Sequence, residues 1–148
     1  MLPPVKTPRR SRAREVALQA LYRLELNPAT TPAELDAFLT ARLGHADLEA
    51  FARSLVAGVR DRRQELDALL ESRAEHWRVP RMAATDRSIL RLAAYELLAG
   101  DAPGPVVADE AIGLAKRYGT ADSGRFVAGL VGRLLADRRA AAAGGSGG

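Results

Sequence analysis

From Ser11 to Asp137 the apolar residues recur at three- and four-residue steps, and nowhere do they alternate with polar ones as a half-buried strand requires. In the longest stretch, Leu48, Phe51, Ala52, Leu55, Val59, Leu66 and Leu70 step down one face. Leucine and alanine dominate while aromatic residues are only 5% of the chain, a composition that suits helices and disfavours sheets. No internal repeat of 20–50 residues interrupts the pattern, so a solenoid is excluded as well. The expected fold class is all-α.

Punctuation residues divide the chain into segments. The first helix is expected from about Ser11 to Leu26, ending before Asn27-Pro28. The second opens on a capping box, Thr31-Pro32-Ala33-Glu34, and closes at Gly44. A long third helix is expected from Asp47 to about Glu75, before the break that Pro80 imposes. A short turn at Arg81–Ala84 leads to a helix over Asp86–Ala99 with so little polar face that it should be central. The sixth segment, Val106–Tyr118, is expected to end on Gly119 as a left-handed residue, and the seventh, about Ala121–Asp137, to be capped by Thr120 or Asp122. Seven helices with short connections predict a compact domain over 11–139, with subdomains of about 11–78 and 79–139. Residues 1–10 read as a flexible basic lead-in, and 140–148 as a disordered Ala/Gly tail.

Length and composition narrow the function. At 148 residues the chain can bury roughly two-thirds of its unfolded surface, so it needs no disulfide or metal staple. With no cysteine, thiol catalysis, CxxC zinc sites and disulfide frameworks are all excluded. No apolar core follows the basic N-terminus and no run of 18 apolar residues occurs, which predicts a soluble, unexported, cytoplasmic protein. The motifs GxxxxGK(S/T), GxGxxG and GxSxG are missing, His45 and His76 lie at no ligand spacing, and Ser88 and Ser123 have no histidine arranged to activate them. The expectation is a protein that is not an enzyme and holds neither cofactor nor metal. The acidic pair Asp109-Glu110 sits in the first turn of its helix, where the dipole stabilises carboxylates. Trp77 is expected to anchor the junction of the two halves.

The charge is concentrated. Residues 1–23 carry Lys6, Arg9, Arg10, Arg12, Arg14 and Arg23 against Glu15 alone, a net +5, while the whole chain is +4, so the remainder sums to −1. Such clustering favours a phosphate backbone or another polyanion over a diffuse solubility role. Arg12 and Arg14 also occupy the first turn of a helix, where the macrodipole favours acids at a few tenths of a kcal/mol each. Their placement suits a ligand better than it suits the helix. A helix-turn-helix reader fits poorly, because no second helix after a tight glycine turn carries the arginines.

On the wheel of the first helix, Ala13, Val16, Ala17, Ala20, Leu21 and Leu24 form the core stripe. Tyr22 falls nearly opposite, beside Glu15, Leu18 and Gln19, where it either covers a neighbouring loop or offers a stacking platform for an unpaired base. In the last helix Val127, Leu130, Val131 and Leu134 face inward. Phe126, a quarter-turn away, either closes the core edge or presents its ring to a partner.

Three stretches carry a family resemblance: RSRAREVALQALYRLEL over Arg10–Leu26, HWRVPRMAATDRSILRLAAYELL over His76–Leu98, and PVVADEAIGLAKRYGTADSGRFVAGLVGRLL over Pro105–Leu135. In sequence, order and spacing these resemble the NusB family of bacterial transcription antitermination factors. The resemblance implies an all-helical fold of two three-helix subdomains, with no catalysis. It implies binding to the boxA segment of nascent ribosomal RNA together with the ribosomal protein NusE, in a complex with other Nus factors and RNA polymerase. Carried over by position, Arg9, Arg10, Arg12 and Arg14 would contact phosphates, Tyr22 and Phe126 would lie on the RNA face, and Asp86 and Asp122 would border the partner groove. The chain departs from the family pattern at Asp109, Gly124 and Ala128, where side-chain hydrogen bonds common in the family are in doubt. Other readings are a helical protein-interaction module or a relative of the RNA-binding domains of ribosomal RNA cytosine methyltransferases, although the chain ends before a cofactor-binding domain could begin. Homodimerisation of the free protein is left open.

Overall fold

The computed structural model describes residues 8–74 and 78–146, and among these all regular structure is helical. Seven α-helices follow in order: α1 (Pro8–Leu26), α2 (Pro32–Leu43), α3 (Ala46–Asp61), α4 (Arg63–Arg73), α5 (Ala84–Ala99), α6 (Gly104–Tyr118) and α7 (Ser123–Ser146), with a single 3₁₀ turn at Val79–Arg81. The expected number of helical segments holds, but by a different partition. The long third helix is two helices, broken at Arg62, and the expected short turn before α5 is the 3₁₀ segment. His76, Trp77 and residues 1–7 lie outside the described residues.

The chain divides into two compact units, one ending at Arg62 and the next beginning at Arg63. This boundary falls well before the one expected near Pro80. The reason is the break at Arg62: α4 packs on α5 and α7, whereas α3 packs on α1 and α2.

In the first unit α1 lies along α3, and α2 covers both. Ala13, Val16, Ala17, Ala20 and Leu21 are buried as the helical period predicts, against Leu39 of α2 and Leu55, Val56 and Val59 of α3. Leu18 and Glu15, expected on the polar side, are buried too. The stripe is therefore wider than the wheel indicated, because two helices cover α1 instead of one. The capping box of α2 is formed: Thr31 Oγ1 accepts from the Glu34 N–H at 3.1 Å, and the Thr31 N–H donates to Glu34 Oε1 at 3.3 Å. Gly44 closes the helix in the left-handed region, φ 60°, a conformation that glycine adopts without steric cost.

In the second unit α5 is central and touches α4, α6 and α7. Its buried residues include Ile89, Leu90, Leu92, Ala93 and Leu97, and also Arg91. Arg91 is 7% exposed and grips Asp67 of α4 through two parallel bonds, Nε to Oδ1 at 2.7 Å and Nη2 to Oδ2 at 2.9 Å. A buried guanidinium is tolerated when a planar carboxylate matches it in this way. A second tie joins α4 to α7: Arg73 Nε donates to Asp137 at 2.6 Å while Arg133 donates to the Arg73 carbonyl at 3.0 Å.

Two local expectations are corrected. Gly119 is extended, φ −91° and ψ −169°, and not left-handed. Glycine is required there because a Cβ would collide with Ser123, whose Oγ accepts from the Thr120 N–H at 2.9 Å. The Ala/Gly stretch after Asp137 is not a disordered tail from Ala140 on, since α7 runs to Ser146. Alanine has the highest helix propensity, so the run continues the helix that precedes it without needing to bury anything.

Candidate nucleic-acid interface

The N-terminal half of α1 sorts its arginines by depth. Arg9, Arg10 and Arg12 are exposed, whereas Arg14 is 2% exposed and sits on the buried side. Arg14 therefore departs from the expected row of surface cations. Its position three residues before Ala17 and seven before Leu21 puts it on the covered face, and the charge is met there by an aromatic ring. The Arg14 guanidinium lies 5.2 Å from the centroid of Phe51 on α3, and Arg10, one turn earlier, lies 4.4 Å from the same ring. Arg12 points elsewhere and pairs with Glu15. The acid expected to be a surface residue thus steadies one of the cations.

Further along α1, Tyr22 is 40% exposed, one of the few large apolar side chains in the described residues that solvent reaches. The wheel placed it off the core, and it is off the core. Arg23 beside it lies 5.5 Å from the Phe38 ring of α2 and 3.8 Å from Glu34, and Arg42 stacks on Phe38 at 3.7 Å. Two of the three phenylalanines of the chain are thus covered by arginine.

In the second unit the structure brings together three residues that the sequence held apart. Asp86 from the first turn of α5, Asp122 just before α7 and Phe126 within α7 line one cleft of about 420 Å³. Arg81, Met82, Ala83, Thr120 and Ser123 complete its wall. Asp86 is 8% exposed, and its Oδ1 is buried with no hydrogen-bond partner among the described residues. Asp122 is exposed and Phe126 half-buried, so the cleft offers a carboxylate, a second acid at its rim and an aromatic edge. Arg81 is the charged member that sequence reasoning missed. It sits in a three-residue turn with no periodicity to mark it, and the turn itself is held by Arg87, whose Nη1 donates to the Met82 carbonyl at 2.9 Å.

The chemistry these groups offer is binding. Among the described residues no group of three or more His, Asp or Glu side chains is placed to hold a metal ion. None of the described helices is long and apolar enough to cross a membrane.

Comparison with known proteins decides the lineage. The NusB family model matches residues 11–135, which include α1 from its second turn and most of α7. The chain belongs to the NusB family. Among relatives, a transcription antitermination protein NusB of Symbiobacterium thermophilum is 43% identical over 143 residues, covering 90% of this chain and 93% of that protein. One from Anaeromyxobacter dehalogenans is 41% identical, covering 86% and 91%. Among solved structures, the NusB of T. maritima superposes with a TM-score of 0.76 at 37% identity, covering 88% of this chain and 92% of that one. A chain from the crystal structure of antitermination factors NusB and NusE in complex with dsRNA gives 0.75 at 27% identity, covering 89% and 99%. The all-helical NusB fold read from the sequence is thus the fold observed.

Proposed function

We propose that this chain is an RNA-binding transcription antitermination factor that recognises boxA in nascent ribosomal RNA, with ribosomal protein NusE as partner, and joins other Nus factors on cytoplasmic RNA polymerase. The observation that carries this reading is the exposed guanidinium row of Arg9, Arg10 and Arg12 at the start of α1 in a NusB family chain. The solved complex of NusB and NusE with dsRNA among its structural neighbours supports RNA and NusE as the kinds of partner.

In this reading the arginines neutralise backbone phosphates and fix the position of the strand, while carrying no sequence information themselves. Tyr22 supplies an exposed ring on which an unpaired base can stack, a contact open to single strands and closed to paired ones. Arg14, buried, adds positive potential from beneath without touching the strand. In the second unit Phe126 offers a further ring, and Asp86 and Asp122 give the cleft negative charge suited to hydrogen-bond donors of the partner or of exposed base edges. No step in this activity makes or breaks a covalent bond.

The test is a titration of boxA RNA and of scrambled RNA of equal length, each with and without NusE. A preference for boxA that tightens when NusE is added is expected. Equal affinity for both RNAs in both conditions would sink the proposal.

A further inference from the structure

We infer that Phe51 is a positioning residue for RNA binding, acting through Arg10; the inference rests on the RNA-binding reading above. Phe51 lies on α3, half-buried, and belongs to no stretch that marks the RNA face in sequence. Yet its ring takes two guanidinium groups from one face of α1, Arg10 at 4.4 Å and Arg14 at 5.2 Å, spaced one helical turn apart.

The geometry suits the task because a guanidinium has two kinds of surface. Its flat face stacks on the ring, and its in-plane N–H edge is what binds a phosphate, so the two contacts are compatible. An exposed arginine otherwise samples many rotamers and loses that freedom on binding. Arg10 is exposed, and the ring contact restricts that freedom before the phosphate arrives. Arg14 lies buried beside the same ring and raises the local positive potential there. Among the described residues Arg9 contacts no ring, and Arg12 is held by Glu15 instead. Arg10 is the surface arginine of this row that lies over a ring of another helix.

The experiment is a double-mutant cycle on RNA affinity with Phe51→Leu, Phe51→Tyr, Arg10→Ala and the Phe51→Leu/Arg10→Ala pair. Phe51→Leu should weaken boxA binding about threefold, the range of an exposed cation–π contact. Phe51→Tyr, which keeps the ring, should restore it, and the pair should be no weaker than Arg10→Ala alone. Full affinity in Phe51→Leu, or additive losses in the pair, would overturn the inference while leaving RNA binding intact. RNA binding that Arg10→Ala leaves unchanged would instead contradict the reading on which it rests, and the inference with it. A readout independent of folding in the variants is the wild-type NMR spectrum. The Arg10 δ-protons should be displaced upfield by the ring, and ordinary shifts there would overturn the inference without any substitution.

Discussion

Arg14 and Tyr22 stand eight positions apart on one helix and exchange the roles that their side-chain types suggest. The guanidinium is buried and the aromatic ring is exposed. Tyr22 was legible because the 100° step of the helix carries it away from the stripe of Ala13, Val16 and Ala20 regardless of what packs there. Tyr22→Ala is accordingly expected to leave the thermal transition within about 0.5 kcal/mol of wild type, as for an ordinary surface site. It should also cost about 1–3 kcal/mol of RNA affinity as a lost stack. A falling melting temperature with unchanged RNA affinity would make the ring a packing residue. Arg14 was not legible, since charge class alone sends an arginine to the surface. It packs beside Phe51, which arrives from α3, and such a long-range partner leaves no trace in local periodicity. The unpaired Asp86 Oδ1 is hidden for the same reason: its surroundings come from α5, the 3₁₀ turn and the start of α7 at once.

The start and stop signals of α2 were read correctly, whereas the break between α3 and α4, which carries no such signal, was not. The capping box of α2 and its glycine stop are local chemistry, and both are formed as the residues dictate. The break between α3 and α4 at Arg62 has neither proline nor glycine, so the run Arg60-Asp61-Arg62-Arg63 reads as uninterrupted helix. The division comes from what each half packs against. Once α4 separates from α3, its Asp67 is free to serve α5, and the Arg91–Asp67 pair becomes the polar clasp of the second unit. Asp67→Ala leaves the Arg91 guanidinium buried without its carboxylate and should cost about 3 kcal/mol in chemical denaturation. Arg91→Met, which removes the charge and keeps the bulk, should cost clearly less. Equal losses in the two variants would show that the pair contributes packing alone. At the C-terminus the alanines of 140–143 prolong α7, a reminder that low complexity predicts disorder only where propensity does not favour helix.

At the scale of the molecule, fold class and helix content were readable from periodicity and punctuation, because a chain this rich in leucine and alanine has few alternatives to packed helices; the division at Arg62 was not, since Pro80 is the stronger local break. The convergence of Asp86, Asp122 and Phe126 on one cleft was not, since tertiary proximity is absent from spacing along the chain. The proposed function rests on where the fold places charge: a cationic helix start in the first unit, and an acidic, aromatic-edged cleft in the second. The central claim is that the exposed arginines of α1 bind RNA phosphates, and its most direct test is the salt dependence of boxA affinity in wild type and in the Arg9→Ala/Arg10→Ala/Arg12→Ala variant. Each phosphate neutralised on a single strand contributes about −0.7 to the slope of log affinity against log salt, so the variant should be shallower than wild type by about 2. Identical slopes in the two proteins would contradict the account.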